Sequence, residues 1–225
     1  VIYVEAERGK VFHLQDATLL TAMMTHTFRS IQEAQATLDG QSIPLYRFGD
    51  FEGADLHRAV LTNQNLSQAV FKMAYLVEAN LGRSNLTGSS FDLADLSGAN
   101  LKSATIVGAS FRAANLLKCN FDGADVKYCR FDRSDLSGCH FAGASLESCT
   151  FIDSRLSDIE FRDLDVSTIN FTNAVMRNCV LKRLRGVESA SWSGVDLSGS
   201  TIGNDVWCKL PKFIRAIHSS LVTHE

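Results

Sequence analysis

FDLADLSGANLKSATIVGASFRAANL, residues 91–116, places Phe91, Leu96, Leu101, Ile106, Phe111 and Leu116 at every fifth position. Outward in both directions the spacing holds from Phe51 to Leu181. That makes 27 consecutive positions filled by Leu, Phe, Ile, Val or Met. A period of five is neither the 3.6 of a helix nor the 2.0 of a strand. A helix would smear these residues around its circumference, and a strand would send alternate ones to opposite faces. The chain must therefore turn at least once in every five residues, always with the same side inward.

Every twentieth residue sharpens this reading. Phe51, Phe71, Phe91, Phe111, Phe131, Phe151 and Phe171 form one column. The next columns run from Leu56 to Met176, from Leu61 to Leu181 and from Leu66 to Val166. A repeat of four pentads is what a four-sided coil produces, with like residues stacked on one face. Two positions before each large residue sits, most often, Ala, Cys or Ser, as at Ala54, Ala59, Ala69, Ala74 and Ser84. A narrow tube has room for one large residue per side and a small one beside it. Coils stacked at about 4.8 Å make a rod roughly 30 Å long. Each buried Phe or Leu contributes on the order of 2 kcal/mol by transfer, mostly through contacts with adjacent coils.

The units Ala54-Asp55-Leu56, Ala79-Asn80-Leu81, Ala94-Asp95-Leu96, Ala99-Asn100-Leu101 and Ala114-Asn115-Leu116 resemble the A-(D/N)-L-x-x signature of the pentapeptide-repeat family. The resemblance covers about 60% of the chain. It implies an all-β solenoid, a right-handed quadrilateral β-helix of about seven coils. The expected organisation is a small α/β N-terminal cap over 1–48, the β-helix over 49–203 and a C-terminal helical cap over 204–225.

Two short strands are expected at Val1–Val4 and Lys10–Leu14, around Arg8-Gly9. A helix follows, N-capped by Asp16, with Leu20, Met23, Met24, Phe28, Ile31 and Ala34 on one face and Gly40 as its stop. Such a segment covers the exposed first coil, which otherwise invites edge-to-edge pairing. Within the repeat, Gln64 occupies an inward small position and must find hydrogen bonds or turn outward. Ile159, Leu164 and Ile169 fill three successive small positions, which predicts a bulge or local widening. Leu181 to Trp192 is eleven residues, so Lys182–Gly186 is expected to hold an extra residue in an outward loop. Pro211 suits the first turn of a terminal helix, with Phe213, Ile214, Ile217 and Leu221 on its apolar side.

The net charge is −3, and no run approaches 18 apolar residues, so no membrane span is expected. The chain begins at Val1 without a charged leader or apolar signal core, which reads as a processed or trimmed start. Of the six cysteines, Cys119, Cys129, Cys139, Cys149 and Cys179 fall at the small inward position and read as buried free thiols. Cys119 with Cys139, and Cys129 with Cys149, lie one coil apart, near the separation a disulfide accepts. No CxxC or CxxH pairing suggests zinc. A reducing, cytoplasmic compartment is the expectation, with secretion as an effector the alternative that the family's PipB type implies.

No catalytic motif is legible, and no cofactor or metal is expected. The carboxylates Asp55, Asp95, Asp125 and Asp135 precede inward residues and read as turn and wall contacts. The expected function is a non-enzymatic scaffold for a protein partner. Candidate partner residues are an outward apolar strip of Val70, Met73 and Leu93, with Ala113 in line and Tyr75 round the next corner. The basic residues Lys182, Arg183 and Arg185 are a second candidate. The resemblance also implies a sharper alternative, a DNA-mimicking protein of the quinolone-resistance type (Qnr, MfpA) that binds DNA gyrase or topoisomerase IV. A DNA-like rod of this length would want roughly 18 net negative charges. Residues 47–185 carry 16 Lys and Arg against 16 Asp and Glu, interleaved along the faces. Direct nucleic-acid binding is not expected. The chain is read as a monomer or as a homodimer made through the C-terminal segment.

Overall fold

The computed structural model describes residues 2–6, 10–14, 50–219 and 223–224. The expected first helix lies outside these. Strands β1 (Ile2–Ala6) and β2 (Lys10–Leu14) form an antiparallel hairpin, with Ile2 opposite Leu14. Both expected strands are present, and the first runs two residues further.

From Asp50 onward the chain coils. Parallel bridges join Asp50 to Val70, Asp55 to Tyr75, Val60 to Asn80 and Asn65 to Asn85. Each turn of the coil therefore uses twenty residues and has four walls. The pentad explains the corners. The residue two after each inward Leu or Phe adopts a left-handed backbone, as at Gly53 (φ 67°), Arg58 (φ 55°) and Leu93 (φ 63°). That conformation swings the chain through a corner, and the next amide closes the turn, as in Ala54 N–H to Phe51 O at 3.0 Å. Glycine takes this conformation freely. Other residues pay about 1–2 kcal/mol for it, a cost carried here by Arg, Met, Leu and Tyr alike because coil-to-coil bonds enforce it. Where Asp or Asn precedes the inward residue, it completes most of these corners. Its Oδ1 accepts the N–H two residues on, as in Asp55 with His57 (3.1 Å) and Asn100 with Lys102 (3.0 Å). Asp55, Asp95 and Asp135 all make this corner bond, and Asp125 pairs instead with Lys127 Nζ at 3.1 Å.

Four walls lengthen into three-residue strands: β3 (Thr105–Val107), β4 (Asp125–Lys127), β5 (Glu160–Arg162) and β6 (Val180–Lys182). β3 pairs with β4, and β5 with β6, both in parallel.

The interior is a lattice of rings. Phe71 stacks on Phe91 at 4.7 Å, Phe91 on Phe111 at 4.8 Å and Phe111 on Phe131 at 4.9 Å. A second column of Phe121, Phe141 and Phe161 meets the first edge-on: Phe111 and Phe121 are 6.5 Å apart at 82°. Stacked and perpendicular contacts both suit the ring quadrupole and add about 0.5–1.5 kcal/mol per pair.

The small column does more than fill space. Ser84 Oγ donates to Leu61 O at 2.5 Å, one coil back. The thiols do the same, from Cys119 to Leu96 O (2.9 Å), Cys129 to Ile106 O (2.8 Å), Cys139 to Leu116 O (3.0 Å) and Cys179 to Leu156 O (2.9 Å). These cysteines are free and buried. Burial pushes the Cys179 thiol up to about 12. Burial and the neighbouring Cys119 push Cys139 well up, so it stays a protonated donor.

Gln64 is half-buried and turns its amide to Thr62 O at 3.0 Å. Its backbone N–H is taken by Ser84 Oγ at 3.1 Å. The register slip lies later than expected. Arg185 still bridges Asp165, twenty residues back, whereas Ser191 bridges Asn170, twenty-one back. The extra residue therefore sits in 186–190. Gly186 takes the left-handed corner (φ 69°), Val187 fills the inward place, and Trp192 Nε1 donates to Val187 O at 2.8 Å. Lys182–Arg185 keep the regular wall because Leu184 is buried as a corner residue.

At the C-terminal end β7 (Thr201–Ile202) pairs with β6, α1 spans Asn204–Trp207 and α2 spans Lys212–His218. β8 (Thr223–His224) returns alongside β7. The expected apolar side of α2 holds at Ile214 and is corrected at Phe213 and Ile217, while Leu221 lies outside the described residues. Ile214 and His218 are buried, while Phe213 and Ile217 are 50% and 65% exposed. His218 decides the seating. Its Nε2 accepts the Leu197 N–H at 3.1 Å, and its Nδ1 lies 3.1 Å from Ile214 O. The imidazole supplies an acceptor that the next coil would otherwise provide.

Candidate functional site: an exposed apolar column on a paired surface

With the interior filled, what the molecule can offer is surface. Met73, Leu93 and Ala113 stand at the same corner of successive coils, with φ of 56°, 63° and 54°. Met73 is 50% and Leu93 55% exposed. The left-handed backbone throws these side chains outward, so the corner costs strain and displays apolar surface at once. Tyr75 lies on the next wall, bridged to Asp55 and Asp95, and stacks on His57 at 5.8 Å. Val70 belongs to the same strip but is half-buried, bridged to Asp50 and Ser90.

The basic candidates are elsewhere on the coil, and the fold does not bring them to this strip. They are also occupied. Arg183 binds Asp163 through two bonds of 2.6 and 2.7 Å, and Arg185 lies 3.9 Å from Asp165. The Arg183 hydrogen bond holds the Asp163 carboxyl below its usual range. Lys182 is part of β6.

The same economy runs along the rod. Lys72 reaches Glu52 at 2.9 Å, Arg58 reaches Glu78 at 2.6 Å and Arg155 lies 3.4 Å from Asp135, each across one coil. Glu78 is held low by its bond from Arg58. Such exposed pairs are worth about 0–1 kcal/mol each, but they consume charges of both signs in coil-to-coil contacts.

Sequence reasoning passed over Tyr128 (57% exposed), Leu117 (38%) and Val60 (41%). Each stands at a position that the pentad sends outward, so the register alone could have found them. Among the described residues no His, Cys, Asp and Glu cluster is arranged to hold a metal ion, and no helix is long and apolar enough to cross a membrane.

Residues 54–92, 94–129 and 129–165 match the Pentapeptide repeats family in eight copies. No curated protein matches the chain. Among solved structures, HetL, a pentapeptide repeat protein involved in heterocyst differentiation regulation from the cyanobacterium Nostoc, is 24% identical with a TM-score of 0.39. The match covers 67% of this chain and 75% of HetL. A trypsin-treated variant of QnrB1, a plasmid-mediated fluoroquinolone resistance protein, is 21% identical with a TM-score of 0.36, over 71% of this chain and 84% of that one. A pentapeptide repeat protein of the Arabidopsis thaliana thylakoid lumen is 18% identical with a TM-score of 0.14, over 72% and 78%.

Proposed function

We propose that this chain, which belongs to the pentapeptide-repeat family, is a non-enzymatic scaffold that presents a fixed surface to a protein partner. The observation that carries the reading is the exposed column Met73–Leu93–Ala113 at left-handed corners. Leu and Met are costly there on two counts, strain and exposed apolar area. Glycine, which sits at many equivalent corners, removes both. In this reading the winding is right-handed over about seven coils. The hairpin segment and the α1–α2 segment close the two ends, and the buried thiols suit a reducing compartment such as the cytoplasm.

A gyrase- or topoisomerase-binding role by DNA mimicry calls for an acidic face. The carboxylates of Glu52, Glu78, Asp135 and Asp163 are instead neutralised by cations one coil away. We therefore place the scaffold reading first.

The test is cross-linking capture from the source cell with the wild-type chain and with Met73→Gly/Leu93→Gly. A specific partner that the double variant fails to retain, while the rod melts no lower, supports the scaffold. Equal retention refutes the column as the site. A supercoiling assay with purified gyrase, with and without a fluoroquinolone, should show no effect. Protection at low micromolar protein would replace the scaffold with the topoisomerase reading.

A further inference from the structure

At one step of the coil the backbone ladder opens along half its circumference. From Asp50 the parallel bridges follow one another, wall after wall, as far as Asp135 with Arg155. The register would next pair His140 with Glu160 and Ser145 with Asp165. Neither bridge forms, and the series resumes at Thr150 with Asn170. In the preceding coil the amides of Phe121, Gly123, Val126, His140 and Ser145 reach their carbonyls at 2.8–3.0 Å. Their equivalents at Phe141, Gly143, Leu146, Glu160 and Asp165 make no such bond among the described residues. Ser148 N–H turns to Thr168 Oγ1 at 2.8 Å instead.

The cause stands at the corners. Ile159, Leu164 and Ile169 bracket the two open walls, and all three are buried. Below them, at the equivalent corners, are Cys139, Ala144 and Cys149. Added methylenes in a packed tube force the backbone aside, and the walls part toward the preceding coil. The walls above stay closed: Val180 N–H still reaches Ile159 O and Arg185 N–H still reaches Leu164 O, both at 2.9 Å. The core registers the parting, since Phe141 and Phe161 stack at 5.8 Å where Phe121 and Phe141 stack at 5.1 Å. Two clefts of about 340 and 390 Å³ follow the seam, one between Leu146 and Leu164 and one between Phe141 and Arg162. They admit water to backbone groups that would otherwise be buried and unpaired.

We infer that this half-open step is a hinge. The walls at Arg130/Thr150 and Asp135/Arg155 remain bridged and form its axis. Closing or widening the opposite two walls bends the rod there at the cost of few direct bonds. At every other step of the regular run, bending would break paired backbone. The rod is then two stiff bodies. The first carries the Met73–Leu93 column, and the second carries α1 and α2.

The experiment is residue-resolved hydrogen exchange on the full chain. Amides of Phe141, Gly143, Leu146, Glu160 and Asp165 should exchange about a hundredfold faster than their equivalents one coil earlier. Equal protection overturns the hinge. Spin-label distances give a second reading in a Cys208→Ser background, because Cys208 is the exposed thiol. Labels at Lys102→Cys and Lys182→Cys span the open side, and labels at Arg112→Cys and Thr172→Cys span the closed side. A broader distribution for the first pair supports bending, and equal widths refute it. Leu164→Ala should slow exchange at Leu146 and Asp165, and an unchanged rate refutes the oversized corner as the cause.

Discussion

The coils up to Thr150 and those after it obey one pentad and differ in a single column. In the first region the small position is filled by Ala, Ser and Cys apart from Gln64, and every wall before His140 is bridged to the next. In the second it receives Ile159, Leu164, Ile169 and Leu184, and the structure answers with two open walls. The large residues are equally regular in both. The difference teaches that the large column drives collapse, whereas the small column sets whether adjacent backbones can approach to hydrogen-bonding distance. Hydrophobicity is indifferent to where a methylene goes; a ladder at 4.8 Å is not.

The comparison can be broken most severely from the large column. Phe111→Ala removes a ring packed against Phe91, Phe121 and Phe131. It should cost about 3–5 kcal/mol in denaturant unfolding. Phe161→Ala, whose neighbour is already 5.8 Å away, should cost less. Equal losses would mean that the opened step is packed as well as the closed ones.

Moving the second region's corner into the first is the next largest change. Ala114→Leu enlarges a buried corner whose walls are bridged. It should destabilise by about 1–3 kcal/mol and speed exchange at the amides of Leu96 and Asn115, which bond across the wall toward the preceding coil. A melt without a local exchange change would show that corner volume does not govern pairing.

At the far end His218→Ala leaves the Leu197 N–H without its acceptor. The expected loss is about 1–3 kcal/mol, confined in exchange data to residues 192–202. Global rather than local loss would show that the terminal coil unfolds with the rest.

The smallest effect is electrostatic. Burial works to raise the Asp196 carboxyl, but bonds from Ser198 Oγ and N–H and from Arg177 more than offset it and bring it to about 2. A depressed carboxylate stabilises the fold above its unfolded value of about 3.9. That contribution fades as the pH falls from about 4 toward 2. Arg177→Ala should flatten this slope without changing stability near pH 1.

What the sequence determined by itself was everything that follows from period. Phe51 to Leu181 at every fifth place required an inward residue per wall. Recurrence at every twentieth residue required four walls, and the placement of Cys119 to Cys179 required that they be interior. Even the trouble at Ile159, Leu164 and Ile169 was legible as excess volume. Tertiary structure alone decided which bonds that excess volume would break, because the strain was free to part the walls above or below and parted those below. It placed the slip after Arg185, since Leu184 still fits a corner and Gly186 supplies the flexible one. It spent Arg183 and Arg185 on Asp163 and Asp165, a pairing fixed by the coil rather than by neighbours in sequence. It also turned α2 so that His218, not Phe213, faces inward. A helix face is chosen by what it meets, and here it meets an unpaired amide at Leu197.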